Sequence, residues 1–121
     1  MLALELRSIA TAALCLSVLN ACGSDCDAAL RWSIVANVRD ANTGAEICNA
    51  SGVAQDGPYQ EDLTCFDSPT CSCNGVGERL GTYEVTISAP GYQSSKKTVV
   101  VDDSDACHVE TVHVEFKLDP Q

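Results

Sequence analysis

The chain has 121 residues, with 17 Asp and Glu against 7 Lys and Arg, a formal net charge of −10. So acidic a balance argues against nucleic acid as a partner and against direct docking on anionic lipid headgroups. One domain is expected at this length, and aromatics at 5% leave it a small core that crosslinks would supplement.

Near the N-terminus, Ile9 to Leu19 is apolar and uncharged. It has the length of a signal-peptide core and falls short of the about 20 apolar residues that a bilayer crossing requires. It ends in Leu19-Asn20-Ala21-Cys22. That stretch resembles the lipobox of bacterial lipoproteins, an apolar residue and two small or tolerated ones before a Cys. The resemblance implies a diacylglyceryl group on the Cys22 thiol and cleavage just before it, with membrane attachment through the lipid. A secretory signal cut near Ala21 without lipidation and an N-terminal core helix are the competing readings. The expected organisation is a signal peptide over 1–21, a lipidated N-terminus and short tether over 22–30, and a β-sandwich domain over 31–121. Glu5 and Arg7 cancel, so the mature 100 residues keep the net charge of −10.

With Cys15 in the signal and Cys22 lipidated, Cys26, Cys48, Cys65, Cys71, Cys73 and Cys107 remain. An even set in an exported domain predicts three disulfides, and spacing alone leaves about fifteen pairings open.

After the tether the hydrophobic period is two, the signature of strands. Ile34, Ala36 and Val38 alternate with Val35, Asn37 and Arg39, and Asp40-Ala41-Asn42-Thr43-Gly44 supplies turn chemistry. Ile47 to Gln55 reads as a second strand, stopped by Asp56-Gly57-Pro58. Tyr59 to Arg79 is the least regular segment. Leu63 to Phe66 reads there as a short strand, and Cys71 to Gly77 as a stretch shaped by bridging. Tyr83, Val85, Ile87 and Ala89 form the buried face of the clearest strand. Ala89-Pro90-Gly91-Tyr92 fits a type II turn, with Pro presetting φ and Gly accepting the positive φ. Ser94 to Val101 follows, then the acidic Asp102-Asp103-Ser104-Asp105. The last strand buries Val112, Val114, Phe116 and Leu118; Val109 is out of phase with them, which predicts a bulge or twist near Glu110. Six or seven short strands with turns between them predict an all-β, antiparallel sandwich.

Val35 to Asp40 with Asn42-Thr43-Gly44, Gly81 to Ile87, and Pro90-Gly91-Tyr92 occur in an order that resembles the carboxypeptidase regulatory-like domain. The resemblance runs from about Arg31 to Leu118 and implies a transthyretin-like (prealbumin-like) sandwich. Cys73 to Arg79 and Cys107-His108-Val109 are similar to a cysteine-bearing variant in bacterial lipoproteins of unassigned role, which implies a Cys73–Cys107 bridge. Gly23 follows Cys22 where Asp would signal inner-membrane retention, so the lipoprotein resemblance implies the outer membrane of the cell envelope.

No catalytic set emerges. His108-Val109-Glu110 misses the His-x-x-Glu spacing of zinc carboxypeptidases, and the tail Leu118-Asp119-Pro120-Gln121 lacks the terminal motif of transthyretin-like hydrolases. Cys71-x-Cys73 with His108 offers zinc ligands on paper, but disulfides account better for exported cysteines. Asp102 to Asp105 crowds carboxylates without the EF-hand spacing or its Glu, and reads as a solvated turn. His113 belongs on the outer face of the last strand, and His108 is expected packed or hydrogen-bonded. These residues predict a non-enzymatic structural or interaction module that uses no metal or cofactor, with a protein or glycan partner unidentified. The alternative is a module binding carbohydrate or peptide, or a ligand held with calcium, through the loops at Asp56 to Tyr59 or Asp102 to Asp105. Trp32 and Tyr59 would then be its aromatic platforms.

Overall fold

Alternation along the chain becomes eight strands, β1 (Trp32–Asp40), β2 (Ser51–Asp56), β3 (Tyr59–Asp62), β4 (Thr64–Phe66), β5 (Ser72–Gly77), β6 (Gly81–Ser88), β7 (Ser95–Val101) and β8 (Val112–Leu118). The structure, a computed structural model, describes residues 29–104 and 107–121. Cys22, Cys26, the lipobox-like stretch Leu19 to Cys22 and Asp105 lie outside them. Two four-stranded sheets, ordered β4-β5-β1-β8 and β3-β2-β6-β7, form a sandwich. Pairing is antiparallel except between β1 and β8, which run parallel from Ile34↔Val112 to Asp40↔Leu118. Parallel neighbours need a long crossover; here the rest of the sandwich provides it.

The predicted inward faces are the core. Ile34, Ala36 and Val38 face Tyr83, Val85 and Ile87, with Phe116 and Leu118 at the same depth, all of them buried. Each large apolar side chain so placed contributes roughly 1.5–3 kcal/mol relative to exposure. The type II turn forms as expected: the Tyr92 amide donates to the Ala89 carbonyl at 3.1 Å and Gly91 has φ +85°. The first turn is closed by Asp40, whose Oδ1 accepts from the amides of Asn42 (2.7 Å) and Thr43 (2.9 Å).

Three expectations are corrected. The second strand starts at Ser51, not Ile47, because the Ile47 amide donates back to Val38 (2.9 Å) and prolongs the first hairpin. The stretch read as least regular, Tyr59 to Arg79, contains β3 and β5 as well as the expected short strand, which forms as β4, and β5 is an interior strand beside β1. Glycines and cysteines conceal its alternation, since Cys73 and Gly75 occupy inward positions opposite Ala36 and Ile34. Val109 is buried outside β8, in a separate bridge with Asp103 that absorbs its phase difference.

β3 and β4 are one extended segment that changes sheet at Leu63. The Leu63 amide donates to the Gly52 carbonyl at 2.8 Å, and its side chain fills a seat that two glycines leave open. A Cβ on Gly52 would lie 2.8 Å from Leu63 Cδ1, and one on Gly75 would collide with Leu63 Cδ2.

The disulfides follow this geometry. Cys65 and Cys73 occupy directly paired positions of β4 and β5 and are bonded; Cys48 is bonded to Cys71. The Cys73–Cys107 bridge implied by resemblance therefore does not form. Cys73 sits mid-sheet with β4 as its neighbour, whereas Cys107 follows the loop beyond β7. Cys107 is itself disulfide-bonded.

Candidate functional site

β1 runs from a Trp32 end of the sandwich to an Asp40 end, and polar side chains gather at both. At the Trp32 end, two non-glycine residues have positive φ: Val76 (58°), near the end of β5, and Glu78 (49°), in the β5–β6 connection. A β-branched residue there is a genuine outlier, and such strain persists only where the surroundings enforce it.

Two carboxylates do the enforcing. Glu61, on β3, accepts the Val76 amide on Oε2 at 2.8 Å, while its Oε1 takes a short hydrogen bond from the Tyr59 hydroxyl. That bond pushes the Tyr59 phenol above its ordinary pKa. Glu78 accepts the Val109 amide (3.1 Å) on Oε1 and the Arg31 amide (3.2 Å) on Oε2. The same Oε2 lies 2.6 Å from His108 Nδ1. Chiefly through the His108 bond, and against the opposing effect of burial, the Glu78 carboxyl is held below the usual carboxylate range. One side chain thus ties together the start of β1, the β5–β6 turn and the approach to β8.

Arg79 completes the cluster. One guanidinium nitrogen donates to Asp56 Oδ2 (3.1 Å) and to the Tyr83 hydroxyl oxygen (2.8 Å). The guanidinium stacks 3.8 Å from the Tyr59 ring centroid, a cation–π contact. Tyr59 also meets Tyr83 edge-on, with centroids 6.4 Å apart. Tyr83 turns its hydroxyl hydrogen toward the carbonyls of Arg79 and Leu80.

The Asp40 end is simpler. Asp40 is buried, and its Oδ2 accepts the Tyr92 hydroxyl at 2.8 Å. The Thr43 amide first, then Tyr92, hold the Asp40 carboxyl below its ordinary value. Tyr92 thereby joins the β6–β7 turn to the β1 hairpin.

The residues singled out from the sequence find definite places. Tyr59 has a ring face covered by Arg79 and is no open platform. Trp32 is half-buried at the same end, opposite Gly77. Asp56 is engaged by Arg79. Asp102 and Asp103 belong to a small backbone ladder: Asp102 accepts the Glu110 amide (2.8 Å) and Asp103 bridges Val109. Among the described residues, no three His, Cys, Asp or Glu side chains come together as a metal-holding group. His108 is buried and bonded to Glu78, and His113 is exposed on the outer face. Cys71 and Cys73, considered as zinc ligands, are in separate disulfides.

A further feature was not anticipated. On the outer face of the β3-β2-β6-β7 sheet lies a depression of about 380 Å³, lined by Ser51, Val53, Asp62, Leu63, Thr86 and Ser88. No single motif announces it, because its walls come together only through the β2–β3 and β2–β6 registers. Arg79, Glu61 and Glu78 were likewise missed, being scattered charges in a segment without period.

No family model matches the chain, and no curated protein matches it.

Proposed function

We propose that this chain is a lipid-anchored, non-catalytic structural or interaction module of the bacterial cell envelope, with a sandwich of the carboxypeptidase regulatory-like type. The observation that carries the reading is a lipobox at Leu19 to Cys22 ahead of a domain whose five described cysteines are all disulfide-bonded. Paired thiols accord with an oxidising compartment, and the lipobox with an anchor. The outer membrane is the expected address, since Gly23 is no retention signal.

The polar clusters support a non-catalytic role. Glu61, Glu78, Arg79 and Asp56 each bind neighbouring backbone or side chains at the Trp32 end. Their arrangement fixes loops. The anchor also limits the domain's reach: residues 23–29 span at most about 25 Å, so the Trp32 end would lie within about that distance of the bilayer. The net charge of −10 holds the body off anionic headgroups.

Intact mass of the native protein tests this directly. The expected mass corresponds to a chain starting at residue 22 with acyl chains on its sulfur, and Cys22→Ser releases the protein from the membrane fraction. A cytosolic protein with residue 22 unmodified and its thiols reduced overturns the proposal.

A further inference from the structure

The depression on the outer sheet face differs from the polar clusters at the two ends in one respect. Ser51, Asp62, Thr86 and Ser88 make no side-chain hydrogen bond or ion pair with the described protein. Four polar side chains, three exposed and Thr86 half-buried, therefore line one concavity with their hydrogen bonds left to solvent or a ligand. Its origin is the change of sheet at Leu63. β3 accompanies β2 as far as Val53↔Asp62, then the chain drops to the other sheet and leaves Ser51 without a β3 neighbour. On the other side, β6 continues alongside, with Ser51↔Ser88 and Val53↔Thr86 in register. The result is a step with a hydroxyl wall, an aliphatic floor at Val53, and a carboxylate at its rim.

We propose that this step binds a saccharide, neutral or amine-bearing. Ser and Thr hydroxyls both donate and accept, and a carboxylate accepts from two adjacent hydroxyls or from an ammonium. The aliphatic floor suits the C–H face of a sugar ring. Anionic sugars and phosphates are disfavoured by Asp62, and the nearest cation, Lys96, is 3.6 Å from Glu84 and thus engaged. The volume lies at the small end of ordinary ligand sites, about 300–1,000 Å³. Its hydroxyls stand on paired strands, which hold geometry better than loops. Ser51 and Ser88 lie toward the Asp40 end, away from residue 29. This inference goes beyond the anchored-module reading and does not depend on the lipid.

The test is a titration of the isotope-labelled full chain, followed by backbone amide shifts. The probes are maltotriose, an N-acetylglucosamine trimer, a glucosamine trimer, a galacturonate trimer and a neutral tetrapeptide. Saturable shifts confined to residues 51–53, 62–63 and 86–88 are expected with at least one neutral or amine-bearing trimer, and none with galacturonate. Asp62→Asn and Thr86→Val should each weaken binding at least tenfold with unchanged melting temperature, whereas Thr98→Val, on the same face but outside the step, should leave it unchanged. The proposal is overturned by absent saturation with all three favoured trimers, by shifts elsewhere, by indifference to both variants, or by preference for galacturonate or the peptide. Saccharide binding by a chain that proves unlipidated would remove the anchor and leave this site standing.

Discussion

The two flanks where the sheets meet are closed by different means. On the β3/β4 flank one segment crosses between sheets, Leu63 fills the seat left by Gly52 and Gly75, Cys65–Cys73 bonds β4 to β5, and Cys48–Cys71 bonds the β1–β2 connection to the β4–β5 connection. On the β7/β8 flank neither strand carries a cysteine. There Lys97 reaches across from β7 to donate to the Glu115 carbonyl of β8 at 2.6 Å, its ammonium 5.4 Å from the Phe116 ring centroid. Alternation is strong in β8 and weak in β4 and β5. Where a buried stripe defines register, a polar clip at the edge suffices; where it does not, steric fit and sulfur chemistry define it.

Breaking the crossing flank should have the largest effect. Leu63→Ala is expected to destabilise by about 2–5 kcal/mol in a denaturant titration, as for other buried leucines. Gly75→Ala alone should cost about 1–3 kcal/mol by overpacking, and the two together less than their sum, since the new methyl enters the vacated space. If the pair is additive, Leu63 and Gly75 do not share a seat. Removing Cys48–Cys71 by paired alanines should cost about 3.5 kcal/mol, and Cys65–Cys73 about 2.5 kcal/mol, on chain-entropy grounds. Equal losses would mean that loop length is not what separates them.

At the exit of β5, acid supplies a gentler perturbation. The Glu78 carboxyl titrates below its ordinary value of 4.5 in the folded protein. The stability linked to it is therefore complete above that value and is lost as pH falls through the lower, native one. Glu78→Gln should flatten the acid limb of a melting-temperature profile; an unchanged limb would assign the acid sensitivity to other carboxylates. Smallest is Lys97→Met on the open flank, within about 0.5 kcal/mol in stability. Its visible effect should be self-association with concentration in sedimentation, as the uncapped β8 edge accepts another strand. A monomeric variant would show that the edge is protected otherwise.

The same contrast explains what was legible in the sequence. Period-two alternation identified the inward faces of β1, β6 and β8, and turn chemistry identified Asp40 to Gly44 and Ala89 to Tyr92. These signals are local. The β5 strand was not legible, because Cys73 and Gly75 replace the apolar residues that mark an inward face. Nor was the Cys65–Cys73 bond, which depends on β4 and β5 being paired rather than on cysteine spacing. The Glu61 and Glu78 brackets escaped for a related reason: each carboxylate serves a backbone amide distant in the chain, and no residue pattern encodes that. The outer-face step requires three strands in two registers at once.

The parallel ladder between β1 and β8 has a mechanical corollary. Residue 29 leads into one end of the molecule and Gln121 leaves from the other, so tension applied between these two points draws the paired strands lengthwise in opposite directions. The load falls in shear on all seven register pairs from Ile34↔Val112 to Asp40↔Leu118. They must yield together rather than unzip one by one, which makes this body resistant to being pulled from its two ends.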